Sequence, residues 1–195
     1  VPYADYLANL VVSETALTTG SLPWVLEAER LLQPSGGTLV CIVPKHTPVA
    51  DVMALARLQD DYQALVAKDD LWVRIVGHRS SLPGAGEWTH LYGDAANSAC
   101  SGDAVAGGKE YDLQWFGPPG PGHAVDRHHN GMGPLFKDGR LFVLGVDHAT
   151  AVDAYNGTVL WEREIENSTR MGVGYEGGSA CVDSRRFYIA AGAQC

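Results

Sequence analysis

Asn156-Gly157 constrains the fold of this 195-residue chain more than any other pair. Both residues tolerate the positive φ that a tight hairpin turn demands. The pair lies inside Gly139 to Trp161, which reads GRLFVLGVDHATAVDAYNGTVLW. Leu141 to Leu144 is an apolar run that suits a buried strand, and Ala151 to Ala154 is a second short run. Thr158 to Trp161 is a third, rich in β-branched and aromatic side chains. Short strands joined by tight turns predict an antiparallel meander.

The same residues carry a resemblance. Ala151-Val152-Asp153-Ala154-Tyr155-Asn156-Gly157, followed by Leu160-Trp161, resembles the blade motif of β-propellers related to pyrroloquinoline quinone (PQQ) proteins. That motif reads roughly Ala-x-Asp-Ala-x-x-Gly-x-x-x-Trp, and Ala151, Asp153, Ala154, Gly157 and Trp161 fill its fixed positions. The resemblance implies that Trp161 packs flat between neighbouring blades. It implies that the Ala and Gly positions leave room for that ring, and that Asp153 fixes the turn. It is a packing motif, so it implies a fold more than a chemistry.

Other segments extend this reading. Glu87 to Ser98 (EWTHLYGDAANS) resembles the opening of the same propeller class, where a Trp and a Gly-Asp-x-x-Asn turn precede the first blade. Leu113-Gln114-Trp115-Phe116 reads as a strand. Ala180 to Val182 and Arg186 to Ala191 read as the start of a second blade. Ser80 to Gly86 (SSLPGAG) is small, polar and rich in turn formers, which marks a domain boundary with a linker at 83–86. The all-β part, a partial propeller of about one to two blades, is expected over 87–195.

Residues 1–82 read as α/β. Leu7 to Val12 is a compact apolar strand. Ser21 can cap a helix with Pro23 in its first turn, continued by Leu22, Val25, Leu26 and Leu32 at near-helical spacing. Pro34-Ser35-Gly36-Gly37 ends it. Thr38 to Val43 (TLVCIV) is apolar enough for a strand buried on both faces. Thr47-Pro48 opens a second helix, with Val52, Leu55, Leu58, Tyr62 and Leu65 as its stripe, and Leu71 to Val76 is a last strand. Alternating strands and helices predict a doubly wound sheet. Glu29 to Gly37 (ERLLQPSGG), with the strand after it, resembles the C-terminal half of a class I methyltransferase that uses S-adenosylmethionine, a Rossmann-like fold. The Gly-rich cofactor loop of that family and its ribose-binding acidic residue are not found in this sequence. Glu14, after the first strand, matches where that family places residues near the substrate.

Bulk properties narrow the function classes. The formal net charge is −9 and no basic run occurs, so binding nucleic acid through its phosphates is not expected. No apolar run reaches transmembrane length. Cys41, Cys100, Cys181 and Cys195 show no C-x-x-C spacing, which argues against a thiolate zinc site. A Cys100–Cys181 bridge is compatible with an oxidising compartment. The first residue is Val, and the chain reads as a piece of a longer protein.

The densest polar cluster is His123, Asp126, Arg127, His128 and His129, in the Gly/Pro-rich stretch 117–134. Imidazoles and a carboxylate on a long loop suit a metal ion or an anionic ligand. Adjacent His128 and His129 cannot both face one site if the segment is extended. Asp147 and His148 sit in a turn between strands that could face a propeller mouth. Trp88, Trp115 and Trp161 are expected to pack rather than to stack on a cofactor.

The expected function is a binding or scaffold module set in the cell envelope. Its partners would be the remaining blades of its own propeller or another protein, and this chain would hold no cofactor by itself. The alternatives are a quinoprotein oxidoreductase with PQQ and calcium, or an S-adenosylmethionine-dependent methyltransferase. Each of those would have its cofactor in the full-length protein.

Overall fold

The computed structural model describes residues 2–19, 25–48, 50–51, 62–68, 72–106, 113–117, 120, 123, 132–169 and 179–195. They are mostly β, with ten strands and two short helices. The chain divides into two compact units, Val1–Leu82 and Pro83–Cys195. No helix among the described residues is long and apolar enough to cross a membrane.

The first unit contains β1 (Leu10–Ser13), α1 (Thr15–Thr19), α2 (Val25–Leu31), β2 (Thr38–Pro44), β3 (Tyr62–Lys68) and β4 (Trp72–Arg79). Its sheet runs in the order β1-β2-β4-β3. β1 and β2 are parallel, and β4 is antiparallel to both of its neighbours. Connection length explains this pattern. A parallel pair needs a crossover of a dozen or more residues, and the stretch holding α1 and α2 supplies one. Only residues 69–71 separate β3 from β4, which permits nothing but an antiparallel return.

Tyr62 and Leu65, expected at the end of a helical stripe, lie in β3 instead. Residue-by-residue pairing from Tyr62↔Arg79 to Lys68↔Val73 outweighs the local helical spacing. The rest of that expected helix, residues 52–61, falls outside the described residues, as does the Ser21–Pro23 start of the first. β2 also departs from the expected burial on both faces. Leu39, Cys41 and Val43 are fully buried, while Thr38, Val40, Ile42 and Pro44 on the other face are half-buried. The buried face packs with Leu32, Val73 and Ile75, and Val11 and Ala28 close the cluster. Burial pushes the Cys41 thiol up to about 11.

The Pro34–Gly37 turn delivers the chain from α2 into β2. Ser35 and Gly36 take positive φ (63° and 129°), and their N–H groups donate to the carbonyls of Ser80 and Arg79. The Arg79 guanidinium donates in turn to the Glu29 and Leu32 carbonyls at 2.6 Å each, which satisfies the C-terminal end of α2. A Cβ on Gly37 would stand 2.3 Å from the Gln33 carbonyl oxygen. Gly37→Ala should therefore destabilise the first unit by about 2 kcal/mol or more. A urea-unfolding midpoint unchanged from the parent would contradict that.

The second unit holds β5 (Leu135–Lys137), β6 (Arg140–Gly145), β7 (His148–Asp153) and β8 (Val159–Glu164), antiparallel and in sequential order. The expected three-stranded meander is thus four-stranded. β5 joins β6 through Asp138-Gly139, both at positive φ (49° and 73°), the requirement of a two-residue hairpin turn. β9 (Ala180–Val182) and β10 (Phe187–Ile189) form a separate hairpin. Leu113–Phe116, expected as a strand, joins no sheet among the described residues.

Segment 88–89 ties the two sheets together. Trp88 exchanges two backbone hydrogen bonds with Phe136, and the Thr89 carbonyl accepts from Val182 N–H at 3.0 Å. Side chains complete the join. Leu135, Phe142, Ala151 and Val182 are buried, with Trp88, Met132, Trp161, Ala180 and Phe187 packed around them. The expected linker residues belong to this unit as well. Gly84 O accepts from Ala104 N–H, and Gly86 N–H donates to the Asp103 carboxylate at 2.9 Å.

Candidate functional site

The turn between β7 and β8 is built from its own residues. Asp153 is buried at 4% exposure, and its carboxylate accepts the Tyr155 N–H at 2.9 Å. Its backbone binds both sides of the loop, Asp153 N–H to the Thr158 carbonyl and Gly157 N–H to the Asp153 carbonyl. The Asn156 side chain accepts from Thr158 N–H at 3.0 Å. Ala154 N–H donates to Gly139 O, locking this turn to the β5–β6 turn. Gly157 takes φ of 74°, which a side chain would resist.

This turn is a platform, and Trp115 lies on it. A Cβ on Gly157 would be 2.4 Å from the Trp115 ring. The indole Nε1–H donates to the Ala154 carbonyl at 2.9 Å, and the Gln114 side-chain amide donates to the Tyr155 carbonyl at 3.2 Å. The room at Gly157, which the resemblance assigned to Trp161, is therefore filled by a tryptophan from earlier in the chain.

Trp161 is half-buried elsewhere. It sits opposite Ala151 in the β7–β8 register and tilts against Phe142 and Phe187 at 6.1 and 6.0 Å between ring centroids. Phe142 and Phe187 stack on each other at 5.2 Å. Beside this trio runs a groove of about 400 Å³, lined by Arg140, Leu160, Trp161 and Arg186 among others. Trp88, Trp115 and Trp161 are each engaged in packing.

At the β6–β7 turn the structure brings together His123, Asp147 and His148. The His123 and His148 rings stack at 4.1 Å with planes 10° apart. The His123 carbonyl accepts from Val146 N–H at 2.8 Å, and a Cβ on Gly145 would overlap it. Asp126, Arg127, His128 and His129 lie outside the described residues.

Asp147 has its carboxylate taken up by Thr169. Its carboxylate accepts from Thr169 N–H at 3.0 Å and from the Thr169 hydroxyl at 2.8 Å, and its carbonyl accepts from Ile165 N–H. These donors, the Thr169 N–H first, hold the Asp147 carboxyl below the usual carboxylate range. His148 Nε2 and the Ser168 hydroxyl are buried here without hydrogen-bond partners among the described residues.

This geometry limits the chemistry of the turn. A metal ion takes each imidazole nitrogen in its ring plane, and two nearly parallel rings do not aim at a common point. The described residues contain no group of three His, Cys, Asp or Glu placed to hold a metal.

A pH dependence follows from Asp147. Its folded pKa is depressed, so its contribution to stability is present above the unfolded carboxylate value and fades as pH falls through the folded one. Hydrogen-exchange protection at Thr169 N–H should therefore hold at neutral pH and drop below about pH 4. Asp147→Ala, which removes the acceptor oxygen, should leave Thr169 poorly protected at every pH. Protection that persists unchanged at low pH would count against this role.

Two features of the site gave no signal in the sequence. Trp115 and Gly157 are far apart along the chain, and no periodicity relates them. Thr169 follows Asp147 at a distance that no short motif describes. A cavity of about 690 Å³, lined by His90, Tyr92, Asn97, Cys181, Tyr188 and Cys195 among others, was equally invisible. Glu14 is exposed, and its carbonyl starts α1 by accepting from Leu17 and Thr18 N–H. No protein-family model, no curated protein and no solved structure matches this chain.

Proposed function

We propose that the second unit is a propeller-blade segment of the PQQ-like kind, acting as a binding or scaffold module rather than as an enzyme. The observation that carries this reading is Trp115 laid on Gly157, with its indole N–H on the Ala154 carbonyl. A tryptophan outside the four-stranded sheet docks on that sheet's own turn, the contact by which one blade grips the next. The groove beside Trp161 is the corresponding place for the turn of a further blade. The partners are accordingly the remaining blades of a propeller, or another protein presenting such a turn.

For the first unit, the reading is a methyltransferase-like α/β element. The Pro34–Gly37 turn supports it by leading from a helix into a strand with a fully buried face. The adenosylmethionine loop and its acidic partner are not in this sequence, so no cofactor site is assigned here.

PQQ chemistry fits these residues poorly. A quinone site with calcium wants free carboxylates and an aromatic floor. Asp147 is taken up by Thr169 and Asp153 by Tyr155, while Trp88, Trp115 and Trp161 pack against protein. Isothermal titration of the full chain with PQQ and calcium, and with S-adenosylmethionine, tests the scaffold reading. It should give no saturable micromolar response. A saturable response to PQQ would replace this reading with an oxidoreductase.

A further inference from the structure

The four cysteines are free thiols, with Cys41 buried, Cys181 partly buried, and Cys100 and Cys195 exposed. The β9–β10 hairpin sets Cys181 opposite Tyr188, and Ala190 N–H extends the pairing to the Ser179 carbonyl at 2.7 Å. Next comes a tight turn at Gly192-Ala193. Ala191 and Gln194 close it with reciprocal backbone hydrogen bonds of 2.9 and 3.0 Å, and Gly192 N–H is anchored on the Asn167 carbonyl. This return leads Cys195 back to the cavity that Cys181, Tyr188 and Ala190 already line. Cys100 is not among the residues lining it.

We infer that Cys181 and Cys195 are a reversible dithiol–disulfide pair across this cavity, and that Cys195, not Cys100, is the partner of Cys181. This inference does not depend on the propeller reading. The electrostatics agree with the geometry. Burial raises the Cys181 thiol first, and the neighbouring Cys195 raises it further.

The step needs an oxidant, and a small-molecule disulfide such as glutathione disulfide supplies it. The exposed Cys195 thiolate attacks one sulfur of that disulfide, which breaks and releases one glutathione thiolate. Cys181 then loses its proton to solvent and attacks the Cys195 sulfur. The mixed disulfide breaks and the second glutathione leaves. Two protein thiols are oxidised and one glutathione disulfide is reduced to two thiols. Attack starts at Cys195 because it is exposed, whereas Cys181 is partly buried. The product clips β9 to the segment that returns after β10 and narrows the cavity.

The test is to equilibrate the full chain in glutathione buffers of graded redox ratio, quench with acid, alkylate, and map the peptides. The expected product is an internal Cys181–Cys195 bond, lighter than the dithiol by about 2 Da and carrying no glutathione. Closing that loop should raise the unfolding midpoint by roughly 5–10 °C. Cys181→Ser should stop the reaction at glutathione-bound Cys195, and Cys195→Ser should leave Cys181 reduced under the same buffers. A Cys100–Cys181 bond would overturn the inference. So would a stable mixed disulfide at Cys195 in the parent chain, or four thiols that stay reduced throughout.

Discussion

Phe142→Ala should destabilise the second unit by about 3–5 kcal/mol, among the largest effects of any single substitution in it. Phe142 is 6% exposed and carries no polar atom that water could rescue. Its cross-strand partners are Leu135 in β5 and Ala151 in β7, both buried. Its ring faces Phe187 in almost parallel planes and leans on Trp161. Removing it opens a cavity where the four-stranded sheet meets the β9–β10 hairpin. The surrounding backbone is held by strand ladders on both sides, so collapse into the void is limited. Denaturant unfolding followed by near-ultraviolet circular dichroism reads both the loss of stability and the loss of aromatic order. A change below about 1 kcal/mol would show that the trio is not a core.

Gly157→Val should destabilise the unit by about 2–4 kcal/mol through two separable effects. A β-branched residue resists the φ of 74°. Its Cβ also overlaps the Trp115 ring, so the indole must leave and give up its hydrogen bond to Ala154. The two effects separate in a double-mutant cycle. With Trp115→Ala in place, Gly157→Val should cost only the backbone strain, and the combined loss should fall short of the sum of the two. Additive losses would mean that Trp115 and Gly157 do not act on each other.

The β7–β8 hairpin was the most legible part of the sequence. Its signals are local: Gly157 supplies the positive φ of the turn, Asn156 contributes through its side chain on Thr158 N–H rather than through a positive φ, and the flanking runs alternate or carry β-branched residues. β5 was missed because Leu135–Lys137 is short and follows a Gly/Pro-rich stretch, where an apolar pair looks like loop. β3 was misread because its residues also fit a helical stripe. Pairing with β4, a tertiary effect, decided between the two periods.

The site was legible in part. The small residues and Asp153 marked a packing turn, but the sequence could not say which tryptophan covers it. Trp161 is close in sequence and matched the motif, whereas Trp115 is distant and matched nothing. Of the histidine cluster only His123 lies among the described residues; its ring stacks on His148, and Asp147 beside them gives its carboxylate to Thr169. Side-chain chemistry was readable from composition, but its direction was not.

Trp115 docks on the Gly157 turn, and its indole N–H reports on that docking directly. Nuclear magnetic resonance of the full chain, with that proton assigned through Trp115→Phe, measures its exchange with solvent. The indole proton should be protected in the parent chain, because Nε1–H is bound to the Ala154 carbonyl at 2.9 Å. Protection should collapse in Gly157→Val. An indole proton that exchanges at the rate of a free tryptophan in the parent chain, or one that stays protected in Gly157→Val, would contradict the docking.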